Sequence, residues 1–178
     1  RAPDRIGGPL TPNKQDGLTR AASILPLAVA ALAALLIAGI GGTLTDLGPW
    51  YRSLQQPDWA PPDAAFPIIW TIVLAMWALA AVETWRNLVT RAQQETLLGL
   101  FALTGLLNIG WSLIFFRLQR PDWALVELVA LWASLIILSV WCSRHARMAP
   151  WLLLPYILWV TLAGVLNLAV VRLNGPFG

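Results

Sequence analysis

The side chains of this chain that could do chemistry are indoles, phenols and amides rather than paired acids, bases or thiols. Trp70 lies about six residues, roughly 9 Å, inside one end of an apolar segment. Trp111 and Asn108 lie about six and nine residues from the corresponding end of another segment, and Asn167 about five from that of a third. Two indoles and two amides from three segments therefore share one layer. An amide facing lipid is expensive, so Asn108 and Asn167 should face inward. Two uses are open to them: bonding helix to helix, which is common in membrane bundles, or lining a pocket. Their common depth beneath an aromatic-rich connection favours the pocket. Tyr156 and Trp159 lie deeper on the third of these segments, behind a kink expected at Pro155. No nucleophile–base–acid set, glycine-rich phosphate loop or paired carboxylate is legible. Electron-rich aromatics with a few amides suit a large, flat, mostly apolar ligand held by stacking and edge hydrogen bonds.

The elements that must position these residues are apolar. The chain has 178 residues, 58% hydrophobic and 12% charged, with eleven tryptophans. A soluble surface needs more charge, so an all-α integral membrane bundle is expected. Spans are predicted over 21–44, 64–85, 96–117, 122–143 and 148–172, each long enough for a hydrocarbon core of about 30 Å. The first apolar run exceeds the core of a signal peptide. Residues 1–20 are polar and aperiodic and read as a disordered tail, and 175–178 as a short C-terminal end. Residues 45–65 carry Trp50, Tyr51, Trp59 and several prolines. Proline forbids a continuous helix there, and the rings suit a membrane edge, so this stretch reads as a semi-rigid cap over one mouth of the bundle.

Smaller expectations follow. Asp122 reads as an N-cap. Glu127, the one acid inside a span, is expected to reach back to Arg117 or Arg120. Trp85, Trp123, Trp141 and Trp151 lie at span ends and read as interfacial anchors, while Trp77 and Trp132 read as packing. The small-residue faces Ala30/Ala34/Ala38/Gly42 and Gly99/Ala102/Gly105 allow close helix approach, within one bundle or in a dimer. One cysteine, Cys142, and one histidine, His145, argue against a disulfide or a Cys/His metal cluster. The net charge of +3 is dispersed and gives no argument for nucleic acid. Eight basic residues fall on the side of the N-terminus and four on the cap side, which places the N-terminus in the cytoplasm and the cap outside.

The cap also carries a resemblance. Trp50-Tyr51-x-x-Leu54-x-x-Pro57-x-Trp59-x-Pro61-Pro62, followed by Phe66-Pro67-x-x-Trp70-Thr71, is similar to the TspO/MBR family of tryptophan-rich sensory and translocator proteins. The likeness continues through Asn108-x-x-Trp111-x-x-x-Phe115-Phe116, Pro155-Tyr156-x-x-Trp159-x-Thr161 and Leu166-Asn167, and spans about 39–174. It implies five transmembrane helices, usually dimeric, in the cell membrane of a bacterium. It implies a porphyrin pocket under the first loop, with protoporphyrin IX or heme as ligand and no intrinsic cofactor. Trp70 and Trp159 match the tryptophans tied to light- and oxygen-dependent porphyrin breakdown. Trp50, Tyr51 and Trp59 match the ligand-contacting loop aromatics, and Asn108 and Trp111 the third-helix pair. Phe115, Tyr156 and Asn167 complete the candidate set. Leu74 stands where the family often has a tyrosine, and the eukaryotic cholesterol motif is missing around Tyr51 and Tyr156.

The function expected from residues and resemblance together is tetrapyrrole binding, with regulation or photo-oxidative breakdown of the ligand. In such a route the porphyrin absorbs light, and nearby indoles donate electrons or trap products. Two rivals are a transporter of porphyrin or another apolar metabolite, and a sensor that signals ligand occupancy to a partner. The scarcity of intramembrane charge speaks against ion-coupled transport.

Overall fold

The structure, a computed structural model, describes the backbone of residues 14–177 and the side chains of residues 24–177. Five helices are long and apolar enough to cross a membrane. In chain order the helices are α1 (Lys14–Leu44), a short α2 (Pro49–Ser53), α3 (Ala65–Trp85), α4 (Arg91–Ser112), α5 (Pro121–Ser143) and α6 (Ala149–Asn174). A π-helical turn, Leu113–Arg117, continues α4. The spanning helices close a ring in the order α1, α3, α6, α5, α4 and back to α1.

Helix α1 begins seven residues before the predicted start of its span, at Lys14. Lys, Gln, Leu and Arg there are good helix formers, so the polar character of 14–20 does not prevent a helix that enters the apolar segment. The rest of the expected tail, 1–13, lies outside the described residues. Helix α4 likewise starts at Arg91 rather than 96, because Thr90 builds a capping box: its hydroxyl accepts from Gln93 N–H (3.2 Å) and the Gln93 side chain accepts from Thr90 N–H (3.1 Å). Helix α5 opens with Pro121 at its first position, and Arg120 occupies the N-cap. Asp122 is therefore not the cap. It lies in the first turn and pairs with Arg120 (2.9 Å to Nε), whose guanidinium also stacks over Trp123 at 4.7 Å.

Sorting of side chains follows the hydrocarbon solvent. Large aliphatic residues such as Leu106, Val126 and Val129 point outward, whereas Thr84, Thr104, Asn108, Ser112, Ser134 and Asn167 are buried. Thr84, Thr104 and Ser134 bond carbonyls three or four residues back on their own helices. Trp77 donates its indole N–H to Thr104 (3.2 Å), joining α3 to α4, and Trp132 donates to Thr161 (3.0 Å), joining α5 to α6. Trp77 is buried in the core as packing would have it, whereas Trp132 is exposed, and each forms a polar tie. Trp123 and Trp151 are exposed near helix ends.

The small-residue face of α1, and Gly105 on α4, serve the bundle, while Gly99 and Ala102 face outward. Ala30 is buried, Ala34 packs on the core and Ala38 lines the internal cavity. On α4, a Cβ on Gly105 would lie 2.7 Å from Ile37 Cδ1, so α1 packs closely against this glycine. We predict that Gly105→Leu destabilises the protein by about 1–3 kcal/mol through overpacking. Gly39→Leu, at a position with nothing within 4 Å, should leave thermal unfolding in detergent nearly unchanged. Equal melting temperatures for the two variants would show that the α1–α4 contact carries no such constraint.

Candidate functional site

The cap is built by local chain chemistry. Asp46 accepts a hydrogen bond from Gly48 N–H (2.9 Å), and a Cβ at residue 48 would lie 2.7 Å from that same oxygen, so a larger residue would displace the Asp46 carboxylate. Pro49 then starts α2, the single helical turn that carries Trp50 and Tyr51. Turns closed by Ala60 N–H to Pro57 O (2.9 Å) and Ala65 N–H to Pro62 O (2.8 Å) lead into α3.

Long-range ties hold the cap down. Gln55 N–H donates to Asn174 Oδ1 (2.7 Å), and Asn174 Nδ2 donates back to Gln55 O (2.9 Å), clamping the loop to the end of α6. The Tyr51 hydroxyl donates to Asp63 Oδ1 (3.1 Å) across the cap itself. Arg117 Nη2 donates to Thr43 O (2.6 Å) at the end of α1. Beneath these bonds, Trp50 meets Phe115 edge-on at 6.0 Å and Tyr51 meets Phe116 at 5.8 Å. The π-helical turn makes this possible. Its wider turn alters the register at the end of α4, and both Phe115 and Phe116 are buried against the cap and Trp111.

Under the cap lies a cavity of about 510 Å³, in the range of small-molecule sites. Helices α1, α3, α4 and α6, the π-helical turn and the cap all contribute to it. Its walls are mainly apolar, with Trp70, Trp111, Phe115 and Phe116 among the large rings and Thr71, Asn108 and Ser112 among the polar points. Asp63 is its one carboxylate, at the exposed cap end. Tyr51 is the other ionisable group on this rim. Burial and then the neighbouring Asp63 charge push its phenol up to about 12.

Of the sequence-derived candidates, Tyr51, Trp70, Asn108, Trp111, Phe115 and Asn167 line this cavity. Trp50 instead buttresses Phe115 from above, and Trp59 is half exposed on the cap, away from the lining. Tyr156 and Trp159 form a second layer: their rings meet Trp70 edge-on at 5.8 Å and 6.3 Å. Trp159 also contacts Phe66 at 5.5 Å and borders a separate lipid-facing groove between α3 and α6. Helix α6 runs unbroken through Pro155. Leu74, at the position where a tyrosine was the alternative, does line the cavity, so the missing hydroxyl is missing from its wall.

The two amides differ in use. With its carboxamide oriented to satisfy both groups, Asn167 donates to Pro121 O (3.1 Å) and accepts from Leu125 N–H (3.1 Å). It thereby ties α6 to the first turn of α5, and its polar atoms serve helix association. Asn108 sits against the Tyr156 hydroxyl without reaching hydrogen-bond geometry.

Glu127 departs from expectation. Arg120 is paired with Asp122 and Arg117 with Thr43 O, and neither reaches Glu127. Both carboxyl oxygens are buried without a partner, beside Gly110 of α4. The sequence hid this because an arginine nearby in the chain is an obvious partner, yet both were committed elsewhere by the turn between α4 and α5. Asp63, Phe116 and Ser112 also line the cavity although sequence reasoning did not select them; only Phe116 carried a signal, its place beside Phe115 in the aromatic run.

The site is thus that of a membrane helix bundle with an aromatic-walled, capped cavity. The chain belongs to the TspO/MBR family, whose sequence profile matches residues 27–173. It is similar to tryptophan-rich protein TspO of Chlorobaculum tepidum, at 35% identity over 85% of this chain and 97% of that protein. Protein CrtK of Rhodobacter capsulatus is 33% identical over 77% of this chain and 86% of its own length. Translocator protein of Sus scrofa is 32% identical over 78% and 86%.

The Tyr51 geometry gives a test of cap closure. Only Tyr51 and Tyr156 are tyrosines, so Tyr156→Phe isolates the cap phenol. Its ultraviolet titration should centre near pH 12 in the folded protein. Asp63→Asn should lower it only in part, because burial is the larger cause. The closed cap holds this proton more tightly than an unfolded chain, whose tyrosine titrates near 10. The stabilisation it lends is complete below about pH 10 and is lost as pH rises through 12. Titration at the ordinary tyrosine value would mean that the cap stands open in solution.

Proposed function

We propose that this protein binds tetrapyrroles, protoporphyrin IX or heme, in the cavity under the cap, and that bound porphyrin is regulated or broken down there in light and oxygen. The observation that carries the reading is the cavity itself: about 510 Å³ with Trp70 and Trp111 in its wall and Trp159 directly behind Trp70. Flat aromatic macrocycles gain from offset and edge contacts with such rings. The indoles at Trp70 and Trp159 lie in edge contact, so an electron taken from the ring facing the ligand can be replaced from the ring behind it. No acid–base pair is needed for that step. The protein is placed in the cell membrane with the N-terminus in the cytoplasm and the cap outside, following its basic residues. A homodimer is proposed through the outward face of α4 at Gly99 and Ala102, since Gly105 is occupied by α1.

Trp70→Phe and Trp159→Phe should retain appreciable porphyrin affinity, because phenyl keeps much of the contact area. Both should slow bleaching of saturating protoporphyrin under light and oxygen, because phenyl is much harder to oxidise than indole. Asn108→Leu should do the opposite, weakening binding by about 1–3 kcal/mol while leaving the bleaching rate of bound ligand unchanged. Wild-type bleaching rates in both Trp variants would reduce the indoles to wall material and make the protein a binder or carrier.

A further inference from the structure

Behind the cavity wall lies a layer of polar atoms with no partner. Trp111 Nε1, Tyr156 Oη, Trp159 Nε1 and both carboxyl oxygens of Glu127 are shut off from solvent and make no hydrogen bond. Such groups are rare in native bundles, and the carboxyl is the most expensive of them. Glu127 is separated from the cavity by one layer of α4. A Cβ on Gly110 would sit 3.5 Å from Glu127 Oε1, and Asn108 and Trp111, on either side of Gly110, line the cavity. A Cβ there would make ordinary contact with the carboxyl, so Gly110 marks the point at which α4 passes Glu127.

Among the described residues no counter-charge lies beside Glu127. Helix α4 meets it at Gly110 and carries no charged residue between Glu95 and Arg117. Helix α6 offers Tyr156, whose hydroxyl senses Glu127 and has Asn108 as its other polar neighbour. On α5 itself Asp122 is held by Arg120, and in the π-helical turn Arg117 is turned toward Thr43. A buried carboxyl without a neighbouring cation lowers the cost of its burial by taking up a proton.

We propose that Glu127 is a proton-exchange site coupled to the ligand cavity: an apolar ligand that fills the cavity drives uptake of one proton from water onto the Glu127 carboxylate. The physical cause is solvent displacement. Water in the cavity, one layer away, helps to solvate the negative charge; an apolar ligand expels it and makes the charged form less favourable. By reciprocity, the ligand then binds more tightly at lower pH. The proposal rests on the cavity being the ligand site but not on what the ligand does there.

The test uses full-length protein in detergent and protoporphyrin IX dimethyl ester, whose blocked carboxyls do not titrate. Affinity, read from tryptophan quenching between about pH 5 and about pH 9, should fall with rising pH, with a slope of at most about tenfold per unit, the limit for one proton. Glu127→Gln should flatten this dependence, while Asp63→Asn, which removes the other carboxylate near the ligand, should keep it. A weakly buffered indicator dye should report proton uptake on ligand addition to wild type and none in Glu127→Gln. Identical pH profiles in wild type and Glu127→Gln overturn the proposal, as does pH-independent binding by wild type. If the ester binds at no pH, the tetrapyrrole reading falls and infrared pH-difference spectra of the ligand-free protein decide this one. A carboxylic C=O band that titrates and vanishes in Glu127→Gln supports it, and the absence of any such band overturns it.

Discussion

The bilayer offers no hydrogen bonds, and this constraint organises the molecule. Every polar group inside the spans must be answered by the protein. The backbone answers by forming helices. Thr84, Thr104 and Ser134 answer by turning their hydroxyls onto carbonyls of their own helices. Trp77 with Thr104, Trp132 with Thr161, and Asn167 with the first turn of α5 answer across helix boundaries. Leucine and valine cannot do so, because lipid receives them as readily as another helix does. Aliphatic residues consequently occur on both sides, buried at Leu74, Leu97, Leu135 and Leu153 and outward at Leu106, Val126 and Val129, and small or polar residues mark particular contacts.

The same constraint explains why the cavity sits where it does. At the membrane edge water becomes available again, and the chain can afford an irregular, proline-rich stretch. That stretch is nevertheless held, by the Gln55–Asn174 pair, the Tyr51–Asp63 bond and the Trp50 and Tyr51 contacts with Phe115 and Phe116. The wall beneath is made of rigid rings, and the π-helical turn orients two of them. A lid tied at its ends over stiff walls keeps a volume open instead of letting side chains collapse into it.

Glu127 is the place where the constraint is not met from within. Its carboxyl has no cation, and it lies one helix layer behind the cavity wall. Unsatisfied groups of this kind tend to coincide with function, because selection for stability alone would remove them. Its position links the energetics of the cavity to a group that no ligand in that cavity touches.

The sequence by itself determined the class of the protein and the depth of its parts. Long uncharged runs leave membrane helices as the outcome, and the spacing of rare residues in the cap and in α3, α4 and α6 is enough to mark the family. Even the layer shared by Trp70, Asn108 and Trp111 follows from counting residues inward at a fixed rise, because a helix converts sequence distance directly into depth. What counting could not supply is rotation and partner. Asn108 and Asn167 look alike in sequence, yet only the packing of α5 on α6 shows that the second is spent on Pro121 and Leu125. Trp59 lies among the cap aromatics, yet the path of the loop leaves it outside. Glu127 stands close in sequence to two arginines, yet the turn between α4 and α5 commits both elsewhere. In each case the deciding contact joins residues from different helices, or depends on which way a turn faces, and no local pattern encodes that choice.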